Sequence, residues 1–168
     1  RQAAVAKATD TLTETKRLQL DFWTRVRDLL LEQKVIAKAH TPRPQYWFDV
    51  SLGSSAMWLS NIANAYDGRV GVRIYLRNTV AEKALAQLLA QKDDIERELG
   101  ETLIWNPSPE KRDKIIALHH KADLHDSKQF DEAVKWIVAQ VAKFRRILMP
   151  RIKKMDLTKD SPAQPEAD

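Results

Sequence analysis

Residues 69–77 alternate strictly between aliphatic and other side chains, and this pattern restricts the fold more than any other in the sequence. The aliphatic positions are Val70, Val72, Ile74 and Leu76, and the positions between them hold Arg69, Gly71, Arg73, Tyr75 and Arg77. A period of two places the two sets on opposite faces of a β-strand. Asp67-Gly68 comes directly before, and tight hairpin turns favour such residues because they tolerate positive φ. We therefore predict a central strand with one core-facing side and one side of three arginines and a tyrosine.

The segments on either side of this strand predict an α+β fold. Apolar residues at spacings of three and four predict helices over residues 13–36, 79–99 and 127–150. Alternating or short apolar runs predict four further strands over residues 46–52, 56–65, 102–105 and 114–120. The predicted order is α-β-β-β-α-β-β-α, which fits one mostly antiparallel or mixed five-stranded sheet with packed helices.

Local signals predict where the helices begin and end. Thr79-Val80-Ala81-Glu82 has the form of a capping box and predicts the start of the second helix. Gly100 stands where a C-terminal glycine cap belongs, and Ser127 is the predicted N-cap of the last helix. Pro150 predicts an end or a kink in that helix.

Length and composition predict one domain over residues 13–155. Residues 1–12 read as a flexible linker or a frayed helix, and residues 156–168 read as a disordered tail. Because the chain opens on Arg1, we expect a fragment or processed product, with the missing N-terminal region of the same protein as a partner. There is no cysteine, which excludes disulfides and zinc ribbons, and no apolar run of membrane-spanning length. We expect a cytoplasmic protein without a membrane partner.

The positive charge is concentrated in the predicted last helix. Eight basic and two acidic residues lie between positions 128 and 155, so this segment accounts for the whole net charge of +5. A basic stripe of this kind favours phosphate or another anionic partner. The alternative is a solvated helix face whose long stems cover apolar surface.

Two groups of residues are therefore candidates for binding nucleic acid. They are Arg69, Arg73, Tyr75 and Arg77 on the central strand and Lys143, Arg145, Arg146, Arg151, Lys153 and Lys154 on the last helix. Arginine and lysine bind backbone phosphate, and tyrosine stacks on a base. The same arginines could instead pair with carboxylates of the helices or face another protein chain.

Little in the sequence supports a metal site or a catalytic group. His119 and His120 are adjacent on a predicted strand, so their side chains point to opposite faces. A metal cluster with Asp123, His125 and Asp126 stays an alternative, but ligands usually need defined spacing on stable elements. We predict no metal, no cofactor and no catalytic residue.

The five tryptophans are predicted to belong mainly to the core. They are Trp23, Trp47, Trp58, Trp105 and Trp136. Trp58 and Trp136 lie outside the most regular apolar spacing of their segments, so for these two residues the alternative to a core position is an interface or a groove.

The segment Arg-Pro-Gln-Tyr-Trp-Phe-Asp-Val-Ser-Leu-Gly at residues 43–53 resembles a signature of the prokaryotic family called domain of unknown function 4268. The further matching pieces are Phe22-Trp23, residues 91–96, residues 98–100, Trp105 and residues 144–146. The resemblance covers residues 13–154. It implies a domain often found at the C-terminal end of longer bacterial and archaeal proteins, some with a nuclease-like region in front. It implies no activity, because none is established for the family.

The leading order α-β-β-β-α-β is also similar to the core of the restriction-endonuclease-like superfamily, whose active members carry a PD-(D/E)xK motif. That resemblance implies magnesium held by an acid near the second strand and an acid-x-lysine pair on the third, since hard cations take oxygen ligands. Here the third strand offers Arg73-Ile74-Tyr75 and Tyr75-Leu76-Arg77 at that place. Because arginine repels a metal ion, a domain of this type would be catalytically inactive.

The residues and the resemblances together favour a protein without enzyme activity. We expect a non-catalytic accessory domain of a longer prokaryotic protein, nuclease or defence-associated, that binds DNA or RNA through its basic residues. One alternative is a protein-interaction or dimerisation module, in which the chain forms a homodimer. The other is a metal-dependent nuclease with a non-standard site that includes Asp49.

Overall fold

The computed structural model describes residues 2–158, with side chains from residue 13 onward. Its elements are α1 (Gln2–Glu32), β1 (Trp47–Ser51), β2 (Met57–Asn64), β3 (Arg69–Leu76), α2 (Ala81–Ala90), α3 (Lys92–Leu99), β4 (Ile104–Trp105), β5 (Lys114–Lys121) and α4 (Ser127–Lys154). The α+β class and the predicted order are confirmed, with the predicted second helix divided into α2 and α3. None of these helices is long and apolar enough to cross a membrane.

The five strands form one sheet in which every neighbouring pair is antiparallel. Their order is β1-β2-β3-β5-β4, so the strand predicted to be central occupies the middle position. Arg73 lies directly between Ser60 of β2 and Ala117 of β5, and Gly71 lies between Ile62 and His119. This register decides which side chains share each face of the sheet.

The aliphatic face of β3 is the floor of the hydrophobic core. Its residues are Val70, Val72, Ile74 and Leu76, each at most 1% exposed. Helix α4 packs over this face, and α1 packs beside α4, where Trp23 stacks on Phe48 of β1 and Phe22 meets Phe130 of α4 edge to face. Helix α3 packs against α4, and α2 contacts β3 and β5. The helices therefore lie together on one side of the sheet.

Two predicted helix caps are wrong in detail. The N-cap of α2 is Val80, and no side chain caps it. Instead the Asp113 carboxylate, next to β5, accepts a hydrogen bond of 2.7 Å from the Asn78 amide and anchors the chain before α2. The N-cap of α4 is Asp126 rather than Ser127, and its carboxylate accepts from the Gln129 amide. In both cases the carboxylate that accepts a hydrogen bond from a backbone amide near the helix start belongs to a residue other than the predicted cap.

The other helix ends follow the expected chemistry more closely. Gly100 adopts the left-handed conformation with φ of 71° and caps α3, as predicted. Helix α2 ends at Ala90, and the φ and ψ of Gln91, −109° and 13°, leave the helical region and separate α2 from α3. Helix α4 continues past Pro150 to Lys154. One missing backbone donor near a helix end is not enough to stop it.

The chain beyond α4 turns back along α2. The Gln87 amide donates to the Asp156 carbonyl (2.8 Å), and Lys83 bonds the Thr158 carbonyl. Most of the tail predicted from residue 156 onward, residues 159–168, lies outside the described residues.

Candidate functional site

The face of the sheet opposite the helices carries polar, aromatic and some aliphatic side chains, and we call it the open face. Its members are Trp47, Asp49, Ser51, Trp58, Ser60, Ile62, Asn64, Arg69, Gly71, Arg73, Tyr75, Arg77, Ile104, Ile115, Ala117, His119 and Lys121. Across residues 13–158, no helix packs on this side. Trp47 at one edge is 38% exposed, and Ile104 at the other is 44% exposed. The edges of this face are therefore exposed to solvent, whereas Ser60, Ile62 and Ala117 in its middle are buried and Arg73, Tyr75 and His119 are half-buried.

Arg73 stands at the centre of the open face and is held by the neighbouring strand. Its Nε donates to the Ser60 carbonyl (3.2 Å) and its Nη2 to the Ser60 hydroxyl (2.7 Å). Burial lowers the pKa of Arg73, while the nearby Tyr46 and Asp49 act in the opposite direction. The guanidinium is therefore a fixed, half-buried positive charge rather than a mobile one.

Asp49 lies beyond Ser60 on the edge strand. Burial raises the pKa of its carboxyl group, whereas hydrogen bonding from Ser60 and the positive charges of His40 and Arg73 act to lower it. Its Oδ1 is buried without a hydrogen-bond partner. Within residues 2–158 no three His, Asp or Glu side chains come together in a way that could hold a metal ion.

Trp58, Tyr75 and Arg77 form a stacked group at one end of the open face. The Trp58 and Tyr75 rings are 4.8 Å apart at an angle of 19°, and the Arg77 guanidinium lies 5.4 Å from the Trp58 ring. The Tyr75 hydroxyl donates to Asp113, which lowers the pKa of that carboxyl group and raises the pKa of Tyr75. These contacts fix the orientation of three side chains whose flat groups could stack on a base.

His119 lies over Gly71 in the middle of the open face. A Cβ on Gly71 would come within 2.9 Å of His119 Cδ2, so the imidazole occupies the space that the glycine leaves. His120, its neighbour in sequence, points to the helix side and stacks on Trp136. The prediction that the two histidines face opposite sides is confirmed.

The basic residues of α4 lie on the helix side of the sheet. Some of them bond groups of other elements, and the others are exposed. Lys143 donates to the Leu99 carbonyl (3.1 Å), and Arg145 bonds the Ser51 carbonyl at the end of β1. Arg151 pairs with Glu98 (2.7 Å). Of the six residues predicted to bind nucleic acid on α4, Arg146, Lys153 and Lys154 are exposed. The structure thus separates the two predicted groups, since the arginines of β3 face the other way.

The sequence model of the family described as Domain of unknown function (DUF4268) matches residues 18–152. The chain belongs to this family. Comparisons with curated proteins and with solved structures give no match. The restriction-endonuclease-like resemblance therefore stays a prediction.

In this DUF4268 domain, the segments that carried the family resemblance contact one another. The Trp23 indole donates to the Gln45 carbonyl (2.8 Å) and stacks on Phe48, which joins the first helix to the signature at residues 43–53. Arg145, in the matching piece at residues 144–146, bonds the Ser51 carbonyl, which joins the last helix to the same signature. These signature residues hold the layers of the domain together.

The prediction of a core position for Trp47 is wrong. Several residues near or on the open face were also not predicted to belong to a binding site. Trp47 is exposed because β1 is the edge strand and this residue points away from the helices. From the sequence, His119 was a candidate only for a metal cluster, and Lys121 and Asp113 had no predicted role. Only the strand register could have identified them, because they stand opposite or beside residues of β3 that face the open side.

Proposed function

We propose that this domain is a non-catalytic accessory domain of a longer prokaryotic protein and binds single-stranded nucleic acid, DNA or RNA, on its open face. The observation that supports this most is the combination of fixed arginines and aromatic rings on a sheet surface that the helices leave uncovered. Such surfaces bind single strands by stacking bases on flat side chains and by pairing phosphates with cations.

The spacing of the arginines fits an extended strand better than a compact ligand. Arg69, Arg73 and Arg77 recur every four residues on one side of β3. At about 3.3 Å per residue, successive arginines are roughly 13 Å apart along the strand. A row of charges of this length follows a polymer backbone.

Charge on the open face favours an anionic partner. The cationic side chains are Arg69, Arg73, Arg77 and Lys121, and the carboxylates beside them are Asp49, Asp67 and Asp113. Asp113 is already bonded to Tyr75 and Asn78, and Asp67 bonds Asn64 and lies 3.9 Å from Arg69. Outside the pair of Asp67 and Arg69, the positive side chains that remain for a phosphate are Arg73, Arg77 and Lys121.

Binding of a labelled oligonucleotide over a salt series tests this proposal. We expect affinity for a single strand to exceed affinity for a duplex of the same sequence, and to fall as salt rises. Arg77→Ala should weaken binding and reduce the slope of log affinity against log salt by about one. Arg27→Ala removes the same charge on α1, where Arg27 pairs with Asp28 (2.9 Å), and should change the slope much less.

Two results would contradict the nucleic-acid role. Absence of binding at low salt would remove it, and a stable dimer broken by Trp47→Ala would favour the interaction module instead. Magnesium-dependent cleavage of nucleic acid that is lost in Asp49→Ala would show that the domain is a nuclease and not a non-catalytic accessory domain.

A further inference from the structure

Three groups that can carry positive charge occupy neighbouring register positions on the open face, from the start of β3 to its middle. His119 is the direct cross-strand partner of Gly71, and Arg69 and Arg73 stand two residues to either side of that glycine on the same face. The imidazole lies over Gly71, where any larger residue would displace it. The absence of a side chain at position 71 therefore leaves space for the ring beside the two arginine positions, close enough that both positive charges act on the pKa of His119.

The immediate surroundings of this cluster are cationic, apolar or neutral polar. Ser60 and Asn64 of β2 stand opposite Arg73 and Arg69, and Tyr46 and Tyr75 lie near Arg73. On β5 the same face carries Ala117 and Lys121 beside His119, and on β2 the residue opposite Gly71 is Ile62. The carboxylates Asp49 and Asp67 stand on the far sides of Arg73 and Arg69 respectively. The cluster itself contains no negative charge.

We propose that Arg69, Arg73 and His119 form a phosphate-binding subsite on the open face. This subsite rests on the proposed function, since the phosphate is taken to belong to a single strand that crosses the sheet. Arg73 is fixed by its two bonds to Ser60, which reduces the conformational freedom lost on binding. Arg69, at the exposed end of β3, supplies the second cation.

Such a site makes binding depend on pH. Burial, followed by the positive charges of Arg69 and Arg73, lowers the pKa of His119 below its ordinary value. A phosphate between these groups stabilises the protonated imidazole and so raises the pKa. Because the bound state then holds a proton that the free state lacks, affinity increases as the pH falls.

Nuclear magnetic resonance of the His119 ring in the full chain measures this effect directly. The probes are inorganic phosphate and an oligothymidylate, each titrated between about pH 5.5 and about pH 8, where histidine changes charge. We expect the oligonucleotide to raise the pKa of His119 and to bind up to about tenfold more tightly at low pH for each unit of that rise. His119→Gln should remove this pH dependence and keep the affinity measured at high pH. His125→Gln, in the exposed loop before α4, is the matched control and should leave the pH dependence unchanged.

The outcomes separate the subsite from the function on which it rests. Tight oligonucleotide binding with an unchanged pKa at His119 overturns the subsite alone. If the oligonucleotide does not bind but inorganic phosphate raises the pKa, the subsite stands for a free phosphate and the nucleic-acid role falls. If neither probe moves the pKa or binds, both are overturned.

Discussion

Gly71 shapes the open face most directly, because it has no side chain and leaves space for its neighbours. An added Cβ would meet His119 Cδ2 and the Leu118 carbonyl oxygen at 2.9 Å, and Ile62 at 3.1 Å. A ring can rotate away, but a carbonyl oxygen in the middle of a paired strand cannot move without disturbing the ladder. The glycine is required by close packing across three strands.

Gly71→Ala should therefore lower the free energy of unfolding by about 1–3 kcal/mol, the usual cost of overpacking. Urea unfolding followed by circular dichroism measures the change. His119→Ala placed in the same chain removes one of the two closest contacts and should restore only part of the loss, because the Leu118 oxygen remains. An unfolding midpoint equal to that of the unchanged protein would show that the strand has room for the methyl group.

Among the helices and strands, α4 joins most of the structure together. Its apolar side covers β3, and it also contacts α1 and α3. Its polar side chains bond the ends of β1 and α3 through Arg145 and Lys143. The basic character of α4 is thus partly structural, since a charged stem that reaches a carbonyl oxygen satisfies a backbone group that would otherwise lack a partner.

Pro150 stands four residues before the end of α4 and lacks the donor that an α-helix uses at that position. Pro150→Ala should raise the free energy of unfolding by about 1 kcal/mol or more, because the gain in helix propensity exceeds the entropy that proline removes from the unfolded chain. Thermal and urea unfolding measure the change. Lys135→Ala, at an exposed position of the same helix, is the control and should stay within about 0.5 kcal/mol. A less stable Pro150→Ala protein would mean that the last turn of α4 depends on a proline-induced bend.

The complete domain has one hydrophobic core, in which the layers depend on each other. Phe22 of α1 is fully buried and meets Phe130 of α4 at 5.3 Å between ring centres, while Trp23 beside it stacks on the sheet. A helix layer and a sheet that share one aromatic cluster are expected to unfold together.

Phe22→Ala should lower the free energy of unfolding by about 3–5 kcal/mol, because it leaves a cavity between the two helices and the sheet. Far-ultraviolet circular dichroism follows the helices and tryptophan fluorescence follows the core, and we expect both curves to shift by the same amount. Leu20→Ala, at an exposed position of α1, is the control and should change stability by no more than about 0.5 kcal/mol. Two separate transitions would show that residues 13–155 do not form a single cooperative unit.

The strand at residues 69–77 shows how far sequence reasoning reaches. Its alternation predicted the strand, its two faces and its central place, because a period of two is a local property that each residue expresses by itself. The same holds for the glycine cap at position 100. The caps at Thr79 and Ser127 were predicted less well, since several oxygen-bearing side chains near a helix start can serve and their choice depends on the path of the chain.

By itself, the sequence determined the α+β class, the order of its elements and the side of β3 that carries arginine and tyrosine. Only the tertiary structure decided that these side chains lie on a face that no helix covers within residues 13–158, and that the basic residues of α4 lie on the other side of the sheet. It also decided that Trp47 is exposed, that Asp113 bonds Tyr75 and that His119 lies over Gly71. The physical reason is that a strand's periodicity is fixed by its own backbone, whereas register and layer packing depend on residues far apart in the chain.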